Sequence, residues 1–415
     1  MSGGTVQRNG PYLALIVLAA FIVAWLPSAV PSPRKQQQHL GPPRSVTVVA
    51  MVRNANASVA ALLTSTLPHV QGYVFCDTGS DDGTLEFLRQ FKRENNLGDS
   101  VFIVESTPWK DHFARSRNAC LEVAKRVTNG YLLLMDADDT LEVRDRNWRR
   151  MLNQRTHITV AMAMGGSTWQ SARLVKAGLD WTYRCAVHEY LMPPRNTSLR
   201  GRLDGIVLRN AGAGNSTAKQ LRNLRLLSRE PDDEERRYCH PRNLFYLAQT
   251  HFDLGNYPAA AEAYRRRLAV NDSYAEERYF SAYRLAASIH RDTRDAEKAT
   301  PYYLRAWEMR TSRGEALYDL MQSLYAAKKY AQCHMVAERL VSLPWPRGDQ
   351  LFVHQAAYDH VINADMAADC AYRSGSTARA KQLWQHALGT TNAADRARIE
   401  KNLEFLAGSS THNEL

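Results

Sequence analysis

The stretch MDADD, Met135–Asp139, closes an apolar run and sets two carboxylates, Asp136 and Asp138, two residues apart. Paired hard oxygen donors at a strand end suit Mg²⁺ or Mn²⁺, which commonly also takes phosphate oxygens from a substrate. A solvated acidic turn is the plainer alternative. The second cluster is CDTGSDDGT, Cys76–Thr84. It places the Asp77 carboxylate and a run of backbone N–H groups where a strand gives way to a helix, with Ser80 or Asp81 as helix N-cap. The chain contains neither G-x-G-x-x-G nor G-x-x-x-x-G-K-[ST], which disfavours dinucleotide enzymes and P-loop NTPases.

These residues need a scaffold, and the pattern from Ser45 supplies one. VTVVAMV (46–52), YVFCD (73–77), VFIVE (101–105) and YLLLMDAD (131–138) read as buried strands. Helical stretches over 60–66, 82–95 and 114–127 separate them. Continuous apolar strands alternating with helices predict a mostly parallel, Rossmann-like sheet covered on both faces. In such sheets ligands bind beyond the carboxyl ends of the strands. Arg53, Asn54, Asp77, Thr78, Asp136 and Asp138 all lie at those ends and are expected to share one crevice.

After about residue 213 the pattern is helical throughout. Turns near Gly255, Asp292–Arg294, Lys328–Lys329 and Gly375 are about 37, 36 and 47 residues apart, against a period of about 34 for tetratricopeptide repeats. The insertion PWPRGDQ (344–350) lengthens the last spacing. A tetratricopeptide-like all-α domain is expected over 213–415, with packing as the default role of its aromatics.

Composition bounds the remainder. The 415 residues include 53 Lys+Arg and 42 Asp+Glu, a formal charge of +11, with no dense basic block, so nucleic acid finds little support. Tyr12–Leu26 is an unbroken apolar run. With the residues to Val30 it approaches spanning length and reads as a signal anchor over 12–30, a cleaved signal peptide being the alternative. A tail (1–11) precedes it and a Pro-rich stem (31–44) follows. Either reading delivers the chain to the secretory lumen, as a type II membrane protein of the ER or Golgi or as a secreted one. Sequons at Asn56, Asn196, Asn215 and Asn271 fit that compartment. Cys76 and Cys120 lie in apolar stretches and read as buried free thiols, and no bridge is predicted.

VVAMVRNA (48–55), DTGSDDGT (77–84), FARSRNACLEVA (113–124), LLLMDADD (132–139) and WTYRCAVHEYL (181–191) occur in this order. Together they resemble a family 2 glycosyltransferase, with a GT-A domain over 45–212, in the subgroup that carries tetratricopeptide-like helices, a resemblance that covers 45 to about 390. The resemblance implies a nucleotide-sugar donor, most often a UDP-sugar, a glycan or protein acceptor, Mn²⁺ or Mg²⁺, and transfer with inversion. By position it assigns Asp77 to the base and Arg53 and Asn54 to the nucleotide's flank. Asp136 falls to the ribose, and Asp138 with Asp136 to the metal and diphosphate. Arg117 and Asn118 match an Arg-Asn pair near the nucleotide; the late His-Glu pair is His188 and Glu189. Glu189 is the candidate base, Asp139 the second, and His188 a possible further metal ligand, with a structural role as its alternative. Trp109 and Trp169 are read as core residues before sugar-stacking ones. The family usually has an acidic residue where this chain has Ala55, and the Asn56 sequon in that loop is expected to be unoccupied. The rival readings are an inactive platform that binds a partner protein through 213–415, and a nucleotidyltransferase.

Overall fold

A computed structural model describes residues 44–410 apart from 153–154, 165–166, 196, 198–199, 211, 213–215, 272–273, 349–352 and 390–392. The anchor and most of the stem lie outside the described residues. Among the described residues, no helix is long and apolar enough to cross a membrane.

Strands β1 (Val46–Val52), β2 (Gly72–Asp77), β3 (Phe102–Ser106) and β4 (Tyr131–Asp136) alternate with helices α1 (Val59–Thr66), α2 (Thr84–Glu94) and α3 (Phe113–Val127). The four strands are mutually parallel in the order β3-β2-β1-β4. Their side chains divide by parity. Val48, Ala50, Tyr73, Phe75, Leu133 and Met135 enter one core, and Val49, Val74, Cys76, Leu132 and Leu134 enter the other, under α3. Both faces are covered, so the strands carry no polar alternation.

Beyond β4 the expectation of a mostly parallel sheet fails. The sheet has eight strands and continues as β7-β6-β10-β5, formed by β5 (Asp139–Val143), β6 (His157–Met164), β7 (Ser167–Lys176) and β10 (Arg200–Asn210). β7 runs antiparallel to both β4 and β6, and β5 antiparallel to β10, so the sheet is mixed. β6 and β7 are consecutive in the chain and pair antiparallel, as closely spaced strands can, whereas β10 returns parallel to β6. β8 (Thr182–Arg184) and β9 (Tyr190–Met192) form a separate small ribbon.

Helices α4 (Thr217–Leu227) and α5 (Asp233–Tyr238) lead into the repeat. It pairs α6 (His240–Asp253) with α7 (Tyr257–Ala269), α8 (Ala275–Thr293) with α9 (Ala296–Met309), α10 (Glu315–Ala326) with α11 (Tyr330–Val341), and α12 (His360–Arg373) with α13 (Thr377–Leu388), before α14 (Ala393–Ser410). Each pair turns through a left-handed residue: Gly255, Arg294, Lys328 and Gly375. The helix that follows often starts on a side-chain cap, as Asn256 accepts from the Ala259 N–H and Asp295 from those of Glu297 and Lys298.

The helical core draws only on residues from 245 onward, and the two sheet cores only on residues up to 208. A fourth, small cluster joins Ala186 and Val187 to Leu226 and Leu227, with Trp109, Phe113, Tyr246 and Leu247 against it. From Arg44 onward the described chain packs as one compact unit.

The thiol reading is overturned. Cys76 pairs with Cys120, Cys185 with Cys239, and Cys333 with Cys370. Cys76 stands on the face of β2 that looks towards α3, and Cys120 on the buried side of α3, so the two meet with Cα atoms 5.7 Å apart.

Candidate active site

In the parallel ladder Asp77 aligns with Val52 and Asp136 with Met51. The two carboxylates therefore flank the carboxyl end of β1, about 10 Å apart at the usual strand spacing. This places Arg53, Asn54, Asp77 and Asp136 at one end of the sheet.

Two loops are stitched together there. The Asn54 N–H donates to Ser80 Oγ at 3.0 Å, and Asn54 Oδ1 accepts from the Asp81 N–H at 3.0 Å. The Ala55 and Asn56 N–H groups donate to Thr84 Oγ1 and Asp82 Oδ2, at 2.8 and 3.0 Å. Asn54 adopts φ 50°, a left-handed conformation that Asn tolerates better than most residues. Asp77 is buried and accepts from the Gly79 and Ser80 N–H groups and from Ser80 Oγ at 2.5 Å. Asp77 thus caps its own turn. Ala55 is buried with its N–H satisfied by Thr84. Arg53 and Asn56 are exposed.

The β4 end holds a charge network. β4 stops at Asp136, as a turn through Ala137 and Asp138 leads into β5. Asp136 Oδ1 accepts from Arg117 at 2.5 Å and Oδ2 from Arg173 at 3.3 Å, while Arg117 Nε also pairs with Glu189 Oε1. Burial pushes the Asp136 carboxyl up, but the guanidinium groups of Arg117 and Arg173 outweigh it and hold the group well below the usual carboxylate range. Asp139 is fully buried and accepts from the Asp136 N–H and from Asn210 Nδ2, both at 2.8 Å. Burial, then the nearby Asp136 charge, raises its pKa. Asp139 is therefore a brace beneath the β4–β5 turn and beyond reach of an acceptor, whereas Glu189 is half-buried. Asp138 receives Asn210 Nδ2 on Oδ1 at 3.1 Å.

The Arg-Asn pair on α3 divides its work. Arg117 links Asp136 to Glu189 and lies 5.6 Å from the Tyr183 ring centroid. Asn118 instead grips the backbone of Tyr183, donating to its carbonyl at 2.9 Å and accepting its N–H at 2.7 Å. That grip docks β8 on α3. His188 stacks flat on Tyr246, with centroids 3.6 Å apart. Desolvation and then the Arg242 charge lower its pKa to about 4.

The metal set Asp136, Asp138 and His188 is not assembled. Among the described residues no group of three or more His, Cys, Asp or Glu side chains could hold a metal ion. Both Asp136 oxygens serve arginines, and the His188 ring serves Tyr246. Asp138 fits a cation that brings its remaining ligands from a diphosphate and water, the usual situation for Mg²⁺.

Arg173, Asn210, Arg222, Arg242 and Tyr246 were not foreseen as site residues. Arg173 stands between Ala172 and Leu174 on β7, and Asn210 ends β10 beside Asp139; these were the available signals. Arg222, on α4, lies over Phe113 and feels the charges of Arg53 and Glu189. Trp109 is half-buried and packs edge-on against Phe113, and Trp169 on β7 is exposed.

Residues 47–196 match the family model described as glycosyl transferase family 2. Three solved structures resemble the chain at low similarity. MamA from Desulfovibrio magneticus RS-1 is 14% identical, with TM-score 0.29, over 40% of this chain and 82% of that one. YrrB, titled a TPR protein with an unusual peptide-binding site, is 12% identical, with TM-score 0.31, over 44% and 84%. The N-terminal domain of stress-induced protein-1 from C. elegans is 17% identical, with TM-score 0.26, over 32% and 99%. No curated protein matches the chain.

Proposed function

We propose that this chain, whose residues 47–196 match the glycosyl transferase family 2 model, moves a sugar from a UDP-linked donor to an acceptor hydroxyl in the secretory lumen. The observation that carries the reading is the convergence of Asp77, Asp136 and Asp138 beyond β2 and β4, with Glu189 tied to Asp136 through Arg117. The lumenal placement is supported by three disulfides, which form and persist in oxidising compartments. The anchor over 12–30 and the division near residue 212 belong to the same reading.

Sugar transfer requires binding of the nucleotide, neutralisation of the leaving diphosphate and removal of the acceptor's proton. The stitched loops at Asn54 and Asp77 offer a preformed wall for the base, which costs little ordering on binding. Arg117 and Arg173 keep Asp136 ionised, ready to accept hydrogen bonds from ribose hydroxyls. A divalent cation, when bound with the donor, would supply charge for the leaving diphosphate, and Asp138 is the residue to hold it. Arg53 and Arg222 add positive charge at the rim. Glu189 accepts the acceptor's proton, and Arg117 fixes its carboxylate through Oε1. Inversion follows if the acceptor attacks in line.

The test is calorimetric titration of UDP into the full chain, with and without Mn²⁺, using wild type and Asp138→Ala. Mn²⁺-dependent binding in the wild type, weakened at least tenfold in the variant, is expected. Absence of both UDP and GDP binding would overturn the donor site and favour a platform role, for which Ala55 in the base-binding loop is the specific observation.

A further inference from the structure

Glu189 sits in a segment held from two sides, its own domain supplying the Phe113 N–H bond to the Ala186 carbonyl and the Arg117 pair with Glu189. Cys185 and His188 both adopt left-handed backbone conformations, φ 79° and 51°, which disfavour residues with a Cβ. The flanking strands β8 and β9 have three residues each, and a two-stranded ribbon is marginal by itself. Further restraints come from the helical part. Cys185 is bonded to Cys239, at the start of α6. Arg242 Nε donates to the His188 carbonyl at 3.0 Å, while its NH1 pairs with the buried Glu277 of α8 at 2.6 Å. Tyr246, one helical turn beyond Arg242, stacks on the His188 ring with planes 8° apart. Ala186 and Val187 pack on Leu226 and Leu227.

We propose that α6 clamps the segment Cys185–Tyr190, so that Arg242 and Tyr246 are positioning residues for Glu189. The helical repeat is then part of the catalytic apparatus as well as a surface for partners. Glu277 orients Arg242, Arg242 fixes the carbonyl that precedes Glu189, and Tyr246 holds the ring that the left-handed turn presents. This proposal rests on the reading of Glu189 as the base.

Hydrogen exchange at the amides of 186–191 and carbodiimide labelling of Glu189 are measured on the full chain, for wild type, Arg242→Ala, Tyr246→Ala and Tyr246→Phe. UDP titration is run on the same proteins, together with release of UDP from UDP-glucose and UDP-N-acetylglucosamine in water. Both alanine variants should speed exchange at 186–191 at least tenfold and raise labelling of Glu189, with UDP affinity kept within threefold and exchange in β1 and β4 unchanged. Any wild-type turnover should fall at least tenfold in kcat with KM for the donor little altered. Tyr246→Phe, which keeps the ring, should recover most of the loss. Unchanged exchange and labelling in both alanine variants would overturn the clamp, as would faster exchange with undiminished turnover. Full turnover in Glu189→Gln beside a response at 186–191 would instead remove the base assignment and leave the clamp standing.

Discussion

Replacing Cys185 and Cys239 together by alanine tests how strongly the two halves are tied. The bridge closes a loop with a sequence separation of 54. Its removal returns that loop's closure entropy to the unfolded chain, about 4 kcal/mol in the chain-entropy relation. Both cysteines are nearly fully buried, at 2% and 1% exposure, and loss of the two sulfurs adds roughly 1–2 kcal/mol of packing. The Cys333–Cys370 bridge, with a separation of 37 inside the helical core, serves as the internal standard. Loop lengths alone make the two removals differ by only about 0.3 kcal/mol. Urea unfolding of wild type and the two double variants gives both quantities, and exchange at 186–191 locates the first. A loss below about 1 kcal/mol for Cys185→Ala with Cys239→Ala would refute the argument. A deficit well beyond that of the Cys333/Cys370 variant would assign the excess to packing at the Ala186–Leu226 cluster.

Three further outcomes follow from single contacts. Glu189→Gln should cut transfer about 10²–10⁴-fold, as loss of a general base does; rates with a found acceptor check it. Glu235 is buried, at 4% exposure; burial raises its pKa, but His112 and Arg229 outweigh this and hold it at about 2. A depressed carboxyl stabilises above its unfolded value, so this contribution should be complete above about pH 5 and fade towards pH 2, by up to about 3 kcal/mol; Glu235→Gln should flatten that slope in urea melts. Gly130 lies so close to Ser45 that an added Cβ would overlap the Ser45 carbonyl and hydroxyl. Gly130→Ala should therefore cost about 1–3 kcal/mol by forcing the start of β4 away from Ser45, read as a lowered urea midpoint.

The parallel half of the sheet was legible because its strands are short apolar runs with polar residues at their carboxyl ends, and Asp77 and Asp136 stand where that pattern places them. The antiparallel half was not. β6, β7 and β10 carry exposed and half-buried residues, including Trp169, and the pairings of β7 with β4 and of β10 with β5 and β6 join residues distant in sequence. The four repeat turns were legible, although two are left-handed at Arg294 and Lys328, where no glycine marks the conformation. Cys76 and Cys120 were misread because apolar surroundings describe a buried thiol and a buried disulfide equally well. Strand parity was the missing signal, since 74 and 76 share the face that meets α3. Asp136 and Asp138 were seen as a pair, but residue type does not reveal that arginines 19 and 37 positions away claim the first of them.

That division of labour bears on what the crevice will bind. Around Asp136 four carboxylates, those of Asp136, Asp138, Asp139 and Glu189, share two guanidinium groups, those of Arg117 and Arg173. Even with Asp139 shifted towards its neutral form, the floor carries surplus negative charge. A bare diphosphate is repelled by such a floor, and a divalent cation is drawn to it. Arg53 and Arg222 at the rim favour the diphosphate, but they are exposed, and solvent and salt screen them more than the network beneath. UDP affinity should accordingly rise with Mn²⁺ more steeply than it falls with added salt. The opposite ranking would place the diphosphate against the rim arginines and release Asp138 from any part in holding it.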